Sequence, residues 1–106
     1  MLILLYYNNF QIKIDEIAER VLTLGETPMH SYSEYLKHSD IQPVTNMSNG
    51  KSGVKLLLES FQSILLIQRA ILDLSGEAGD EGTNALMSDY IREQEKLVWM
   101  LNAYLQ

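Results

Sequence analysis

The 106-residue sequence contains no cysteine, which excludes disulfide bridges and thiolate metal ligands. Basic residues are also scarce, since eight Lys and Arg stand against fourteen Asp and Glu and the formal net charge is -6. The cations are scattered along the chain, whereas proteins that grip DNA phosphates carry clustered Lys and Arg. The composition therefore argues against direct DNA binding by this chain, and it suits a reducing, cytoplasmic compartment.

Long apolar runs are missing as well. The densest run, Ile64 to Ile67, ends at Gln68 and Arg69 and falls far short of a membrane-spanning helix. The apolar start, Met1–Tyr7, lacks a basic segment and a small-residue cleavage site, so we do not expect a signal peptide or a membrane partner. The length predicts one domain over residues 1–106, with a core small enough to need help from partner subunits.

Prolines are few, and both of them, Pro28 and Pro43, fall in a connector that spans residues 26–50. The connector ends in a polar tract over residues 45–50, and we predict a short helix, about Ser33–Lys37, inside it. A connector of this length is unusual between neighbouring helices. It is expected where two successive helices of a bundle run parallel, because the chain must then cross from one end to the other.

Three long amphipathic helices are predicted around this connector, at about Leu2–Leu24, Ser52–Ser75 and Thr83–Leu105. In each, apolar residues recur at steps of three and four. Gly25 is predicted to end the first helix and Asp80 to cap the last. The middle helix is apolar around so much of its circumference that we expect a core on one face and a subunit contact on another. The pattern is all-α and one helix short of a four-helix bundle.

On the last helix, the run Arg92–Lys96, which includes Gln94, is interpreted as the polar side. Trp99 is interpreted as a core or interface residue. The apolar stripe of this helix is predicted to consist of Leu86, Tyr90, Leu97, Met100, Leu101 and Tyr104.

Two acidic residues of the first helix, Asp15 and Glu19, are the candidate functional residues of this chain. They are four residues apart and therefore share one helical face, at the edge of the apolar stripe. Two carboxylates so placed repel each other unless a cation lies between them, and a hard or borderline metal ion would suit them. Acidic pairs at this spacing are also ordinary on solvated helix faces, and spacing alone favours that second interpretation.

Three separated segments resemble the Dps family, the mini-ferritins that protect DNA during starvation. Asp15–Arg20, followed by Leu24-Gly25 and Thr27-Pro28, resembles the family's second-helix signature. Glu77–Thr83 resembles its turn into the last helix, and Ile91–Lys96 with Trp99–Leu101 resembles that helix. The resemblance covers about Tyr7 to Leu105, in the right order.

The resemblance implies a ferritin-like subunit, a hollow homo-oligomeric shell of twelve copies, and storage of iron after Fe(II) is oxidised, mainly by hydrogen peroxide. It also implies a ferroxidase site at a two-fold interface, with iron (Fe2+/Fe3+) as the bound metal. Asp15 and Glu19 match the carboxylate ligands, and Asp15 matches the bridging one. The family's His ligands come from the first helix of the partner subunit.

The sequence departs from the family at its start, where the first helix and its His ligands have no counterpart. We therefore expect a truncated Dps-type bundle that lacks its first helix, with a short helix in the long crossover and only the carboxylate half of the site. His30 and His38 match no ligand position and are interpreted as polar loop residues. A full-length paralogue could supply the missing ligands in a mixed shell. The alternative is an inert bundle that acts only in self- or hetero-assembly.

Asp80 and Glu81 lie near the place where the family lines its three-fold pores with acidic residues. Ala85 stands where the family often has an Asp. Capping of the last helix is the alternative role for both carboxylates.

Overall fold

The computed structural model describes residues 2–41 and 50–106, with side chains from residue 7 onward. These residues form four helices and no strand: α1 Leu2–Thr23, α2 Tyr32–His38, α3 Gly50–Glu77 and α4 Glu81–Leu105. The all-α prediction is confirmed, including the short helix inside the long connector. Pro43 and residues 45–49 of the predicted polar tract lie outside the described residues.

The chain divides into two compact units, Met1–Ser39 and Asp40–Gln106. A single domain over residues 1–106 therefore stays a prediction. Among the described residues, no helix combines the length and the apolar character that a membrane crossing requires.

In the first unit, α1 ends at Gly25, as predicted. Gly25 adopts a φ of 90°, which a residue without Cβ reaches at little cost. Its N–H donates to the Leu22 carbonyl at 3.0 Å, and the N–H of Glu26 donates to the Val21 carbonyl at 3.1 Å. This pair of bonds is the Schellman motif, which satisfies carbonyls at the end of the helix.

Local hydrogen bonds also define α2. Ser31 is its N-cap: the hydroxyl accepts from the Glu34 N–H at 3.3 Å and donates to Glu34 Oε1 at 2.9 Å. Tyr32 and Tyr35 pack edge to face with ring centroids 6.2 Å apart, and the Tyr35 hydroxyl donates to the Met29 carbonyl. None of the seven residues of α2 is buried, so caps and local contacts hold this helix within the chain.

The second unit is a hairpin of α3 and α4 joined by a tight turn. Gly79 takes a φ of 72°, and the Asp80 N–H donates to the Ser75 carbonyl at 2.8 Å. Asp80 then begins α4, because its carboxylate accepts from the Thr83 N–H at 3.1 Å and from the Thr83 hydroxyl at 2.6 Å. The predicted cap is confirmed, and Glu81 lies in the first turn of α4.

The two long helices pack antiparallel. Asn84 Nδ2 donates to the Leu72 carbonyl at 2.9 Å near the turn, and Arg69 pairs with Glu95 at 3.0 Å further along. Buried positions recur at steps of three and four on each helix, a repeat typical of long packed helices. We call these positions the buried seam: Leu58, Phe61, Leu65, Gln68 and Ser75 on α3, and Met87, Tyr90, Gln94 and Leu101 on α4.

One interpretation of the last helix needs correction. The sequence pattern puts Gln94 on the polar side, yet it is 0% exposed, because it lies four residues after Tyr90 on the buried seam. Trp99 is 68% exposed, so it lies outside the core of this chain, and its role as an interface residue stays a prediction. The predicted apolar stripe holds for Tyr90 and Leu101, whereas Met100 and Tyr104 are exposed.

Candidate metal centre

The pair Asp15 and Glu19 lies on the exposed surface of α1, one helical turn apart. At this spacing the Cβ atoms of two helical residues are about 5–6 Å apart. Neither side chain makes a hydrogen bond or an ion pair with another described residue. The carboxylate oxygens of both residues are therefore open to a ligand.

Exposed apolar side chains stand one turn before and one turn after this pair. Ile12 and Leu22 are each 60% exposed, and they continue the steps of three and four that connect Asp15 to Glu19. We call Ile12, Asp15, Glu19 and Leu22 the carboxylate strip. Two charged side chains between exposed apolar residues are typical of a surface that contacts another protein.

No third ligand completes the pair within the described part of the chain. Nowhere in residues 7–41 and 50–106 do three or more His, Asp or Glu side chains gather closely enough to hold a metal ion. His30 is exposed in the connector, and His38 is exposed at the last position of α2. The structure thus places the two predicted ligands one helical turn apart, with neither histidine in a cluster with them. The metal-binding roles of Asp15 and Glu19 stay a prediction.

The acidic residues at the start of α4 have a local role. Both oxygens of Asp80 accept hydrogen bonds from Thr83, one from the backbone and one from the hydroxyl. A carboxylate at a helix N-terminus is further stabilised by the helix dipole. Capping is confirmed for Asp80, and a pore role stays a prediction.

The hairpin also contains a buried polar feature that the sequence pattern does not predict. Gln68 and Gln94 are buried, at 7% and 0% exposure, between apolar positions of α3 and α4. The signal that could have found them is the repeat of three and four, because Gln68 lies three residues after Leu65 and Gln94 seven before Leu101. Charged neighbours hid this repeat, since Glu93 and Glu95 flank Gln94 and Arg69 follows Gln68.

Known proteins resemble the chain over almost its whole length. Residues 5–106 match the family model of the ferritin-like domain. The chain is 47% identical over 100 residues to an uncharacterised protein of Haemophilus influenzae, covering 94% of this chain and 62% of that protein. It is 44% identical over 98 residues to the DNA protection during starvation protein of Porphyromonas gingivalis, covering 92% of this chain and 62% of that one.

A solved structure agrees with these matches. The Dps protein from Vibrio cholerae O1, described as a member of a broad superfamily of ferritin-like diiron-carboxylate proteins, superposes with a TM-score of 0.94 at 58% identity. The match covers 95% of this chain and 64% of that one. The helices and the matched domain define a ferritin-like helical protein. Within that class, the chain belongs to the Dps family, and it spans 62% of the length of the two curated relatives named above.

Proposed function

We propose that this chain is an iron-handling Dps-type subunit, which binds Fe(II) and stores the ferric product in a hollow shell of copies in the cytoplasm. Hydrogen peroxide is the main oxidant in this proposal. The observation that carries it is the carboxylate strip, where Asp15 and Glu19 face outward with no partner among the described residues. Membership of the Dps family supports iron as the metal.

Carboxylate oxygens suit the chemistry because they are hard ligands that stabilise the higher charge of Fe(III) over Fe(II). In the proposed reaction, two Fe(II) ions each give one electron to hydrogen peroxide. The O–O bond breaks, and two protons are taken up to form two water molecules. Asp15 and Glu19 would hold the iron through their carboxylate oxygens, and Asp15 matches the position of the bridging ligand in the family.

Two carboxylates without a nitrogen ligand make a weak Fe(II) site. The exposed Ile12 and Leu22 support a site that a neighbouring subunit closes, since apolar residues beside bound metal exclude water when they are covered. A full-length paralogue with histidine ligands is the proposed partner in a mixed shell. For the purified chain alone, we therefore expect weak or absent ferroxidase activity.

The test begins with an anaerobic Fe(II) titration of the purified chain, which measures binding. Hydrogen peroxide is then added, and the rise in ferric absorbance measures oxidation. Asp15→Ala and Glu19→Ala should each lower Fe(II) affinity by roughly tenfold or more, since even outer-shell changes cost about 10–100-fold. Glu26→Ala is the matched control, because Glu26 is an exposed carboxylate beyond the end of α1. Affinity in this control should stay within about twofold.

Each outcome decides a different part of the proposal. Saturable binding that is lost in the Asp15 and Glu19 variants, but kept in the Glu26 control, supports the half site. Binding and oxidation equal to buffer in all variants would remove the iron chemistry and leave only the scaffold. Oxidation close to that of a full-length Dps protein would contradict the expected weakness of the isolated chain.

A second function, assembly without iron chemistry, is favoured by the exposed apolar surface. Leu66, Leu74 and Trp99 are each more than 60% exposed. A groove of about 420 Å³ also opens on the α3–α4 hairpin, lined by Gln62, Leu65, Leu66, Arg69, Glu95 and Val98. Apolar area of this kind usually marks a contact with another protein. Association that is unchanged by an iron chelator, together with no Fe(II) binding, would select this function.

A further inference from the structure

Buried amide groups inside the α3–α4 hairpin lack hydrogen-bond partners. Gln94 is fully buried, and neither its Oε1 nor its Nε2 meets a partner among the described residues. The Gln68 side chain is only 7% exposed, and its Oε1 also has no hydrogen-bond partner among the described residues. Buried polar atoms of native proteins are nearly always hydrogen-bonded, to protein or to ordered water. We therefore expect a bound ligand to supply the missing hydrogen bonds of these amides.

The two glutamines lie at nearly the same level of the hairpin, within one helical turn of each other. Arg69 and Glu95 are their immediate neighbours in sequence, and these two side chains meet across the helices at 3.0 Å. Because α3 and α4 run antiparallel, this contact places position 68 level with position 96, so Gln68 and Gln94 are offset by only two residues, or about 3 Å along the helix axis. Both positions belong to the buried repeat of their helices, so both side chains enter the same seam.

The unpartnered atoms have a definite chemistry: two carbonyl oxygens that accept and one amide NH2 nitrogen that donates. A metal cation would bind the oxygens and leave the N–H unpaired. An anion would do the reverse. A water molecule can donate twice and accept at the same time, so one water gives each of the three unpartnered atoms a hydrogen-bond partner.

We propose that Gln68 and Gln94 bind one internal water molecule between α3 and α4. Internal waters with about three polar partners are common in globular proteins, at about one per 27 residues. A water held by one amide from each helix also favours a single register of the two helices. If one helix slid along the other, both amides would face apolar side chains and would lose their hydrogen-bond partner.

A high-resolution crystal structure of the full chain tests the proposal directly. We expect an ordered water with contacts of about 2.7–3.2 Å to Gln68 Oε1 and to both amide atoms of Gln94. A direct hydrogen bond between the two amides, with no water, would overturn the proposal. A dry seam with the amides still unpaired would overturn it as well.

Chemical denaturation provides a second measurement. Gln68→Met and Gln94→Met keep the length of the side chain but remove the amide. Each should raise the unfolding equilibrium constant roughly tenfold, since it leaves the water and the other amide underbonded. The double variant should cost clearly less than the product of the two single effects, because the polar groups of both residues are then removed.

Gln62→Met is the matched control, since Gln62 lies on the same helix but is exposed. Its unfolding constant should stay within about twofold of the parent value. Single variants that are as stable as the parent, or more stable, with effects that multiply in the double variant, would contradict a satisfied water site. If the variants do not fold, the crystal structure of the unmodified chain still decides.

Discussion

At the scale of single residues, Asp80 shows how one side chain organises the second unit. Its two carboxylate oxygens accept hydrogen bonds from the backbone N–H and the hydroxyl of the same residue, Thr83. The first N–H groups of any helix lack intrahelical partners, so this cap replaces a bond that the helix cannot make. By contrast, Asp89 pairs with Arg92 at 3.1 Å with both side chains more than 60% exposed.

Asp80→Ala should lower the free energy of unfolding by about 1 kcal/mol, within a range of roughly 0.5–2 kcal/mol, because the first turn of α4 loses its cap. Urea denaturation followed by circular dichroism measures the change. Asp89→Ala is the control, and its effect should stay below about 0.5 kcal/mol since exposed pairs contribute little. Equal losses for the two variants would contradict a capping role for Asp80.

At the scale of helices, glycine termini set where α1 and α3 end. Gly25 and Gly79 both have positive φ, and in both turns the next residue donates back to a carbonyl five residues earlier. A Cβ added at either position would meet no atom within 4 Å. The requirement for glycine is therefore conformational and does not come from crowding.

Gly79→Ala should destabilise the hairpin by about 1–2 kcal/mol, since an L-residue with Cβ is strained at this φ. Gly76→Ala offers a control of opposite sign. Gly76 lies inside α3, and a Cβ there would meet only Asn84 Nδ2, at an ordinary 3.5 Å. This variant should be neutral or more stable by up to about 1 kcal/mol, because alanine favours the helix.

The midpoint of urea unfolding compares the two glycine variants. We expect it to fall for Gly79→Ala and to hold or rise for Gly76→Ala. A drop of the same size in both would mean that space, rather than backbone conformation, limits these positions.

At the scale of the whole molecule, the described chain leaves many apolar side chains uncovered. Tyr32 is 84% exposed, and Leu66 and Trp99 exceed 65%. Burying such area is worth roughly 25 cal/mol per Å², so an uncovered surface of several hundred Å² strongly favours association. Known Dps structures share this fold, and the match to the one from Vibrio cholerae O1 covers only 64% of that chain.

We therefore expect the purified chain to form oligomers at micromolar concentration in sedimentation velocity experiments. The association should persist at about 1 M salt, where exposed ion pairs are screened but apolar contacts are not. Leu66→Gln with Leu74→Gln should shift the distribution toward smaller species. Lys55→Gln on the same helix is the polar control and should leave it unchanged. A stable monomer over the whole concentration range would contradict the proposed shell and the assembly function alike.

The sequence by itself determined the helices, their ends and the family. Helix periodicity, the glycine stops and the Asp80 cap depend on residues within about five positions of each other, so they can be read from the chain alone. The same is true of the spacing of Asp15 and Glu19, which places both carboxylates on one face. The helix bounds differ from those predicted by only a few residues at each end.

Only the tertiary structure decided which faces are covered. Ile14 and Ile17 belong to a clear apolar stripe, yet they are 48% and 42% exposed. Gln94 lies in a run of charged residues and is nevertheless fully buried, with Gln68 across the seam. A pattern of apolar residues shows that a helix has a face to bury, but the register of the neighbouring helix selects the residues that are buried. That register depends on contacts between residues far apart in the chain, such as Arg69 with Glu95.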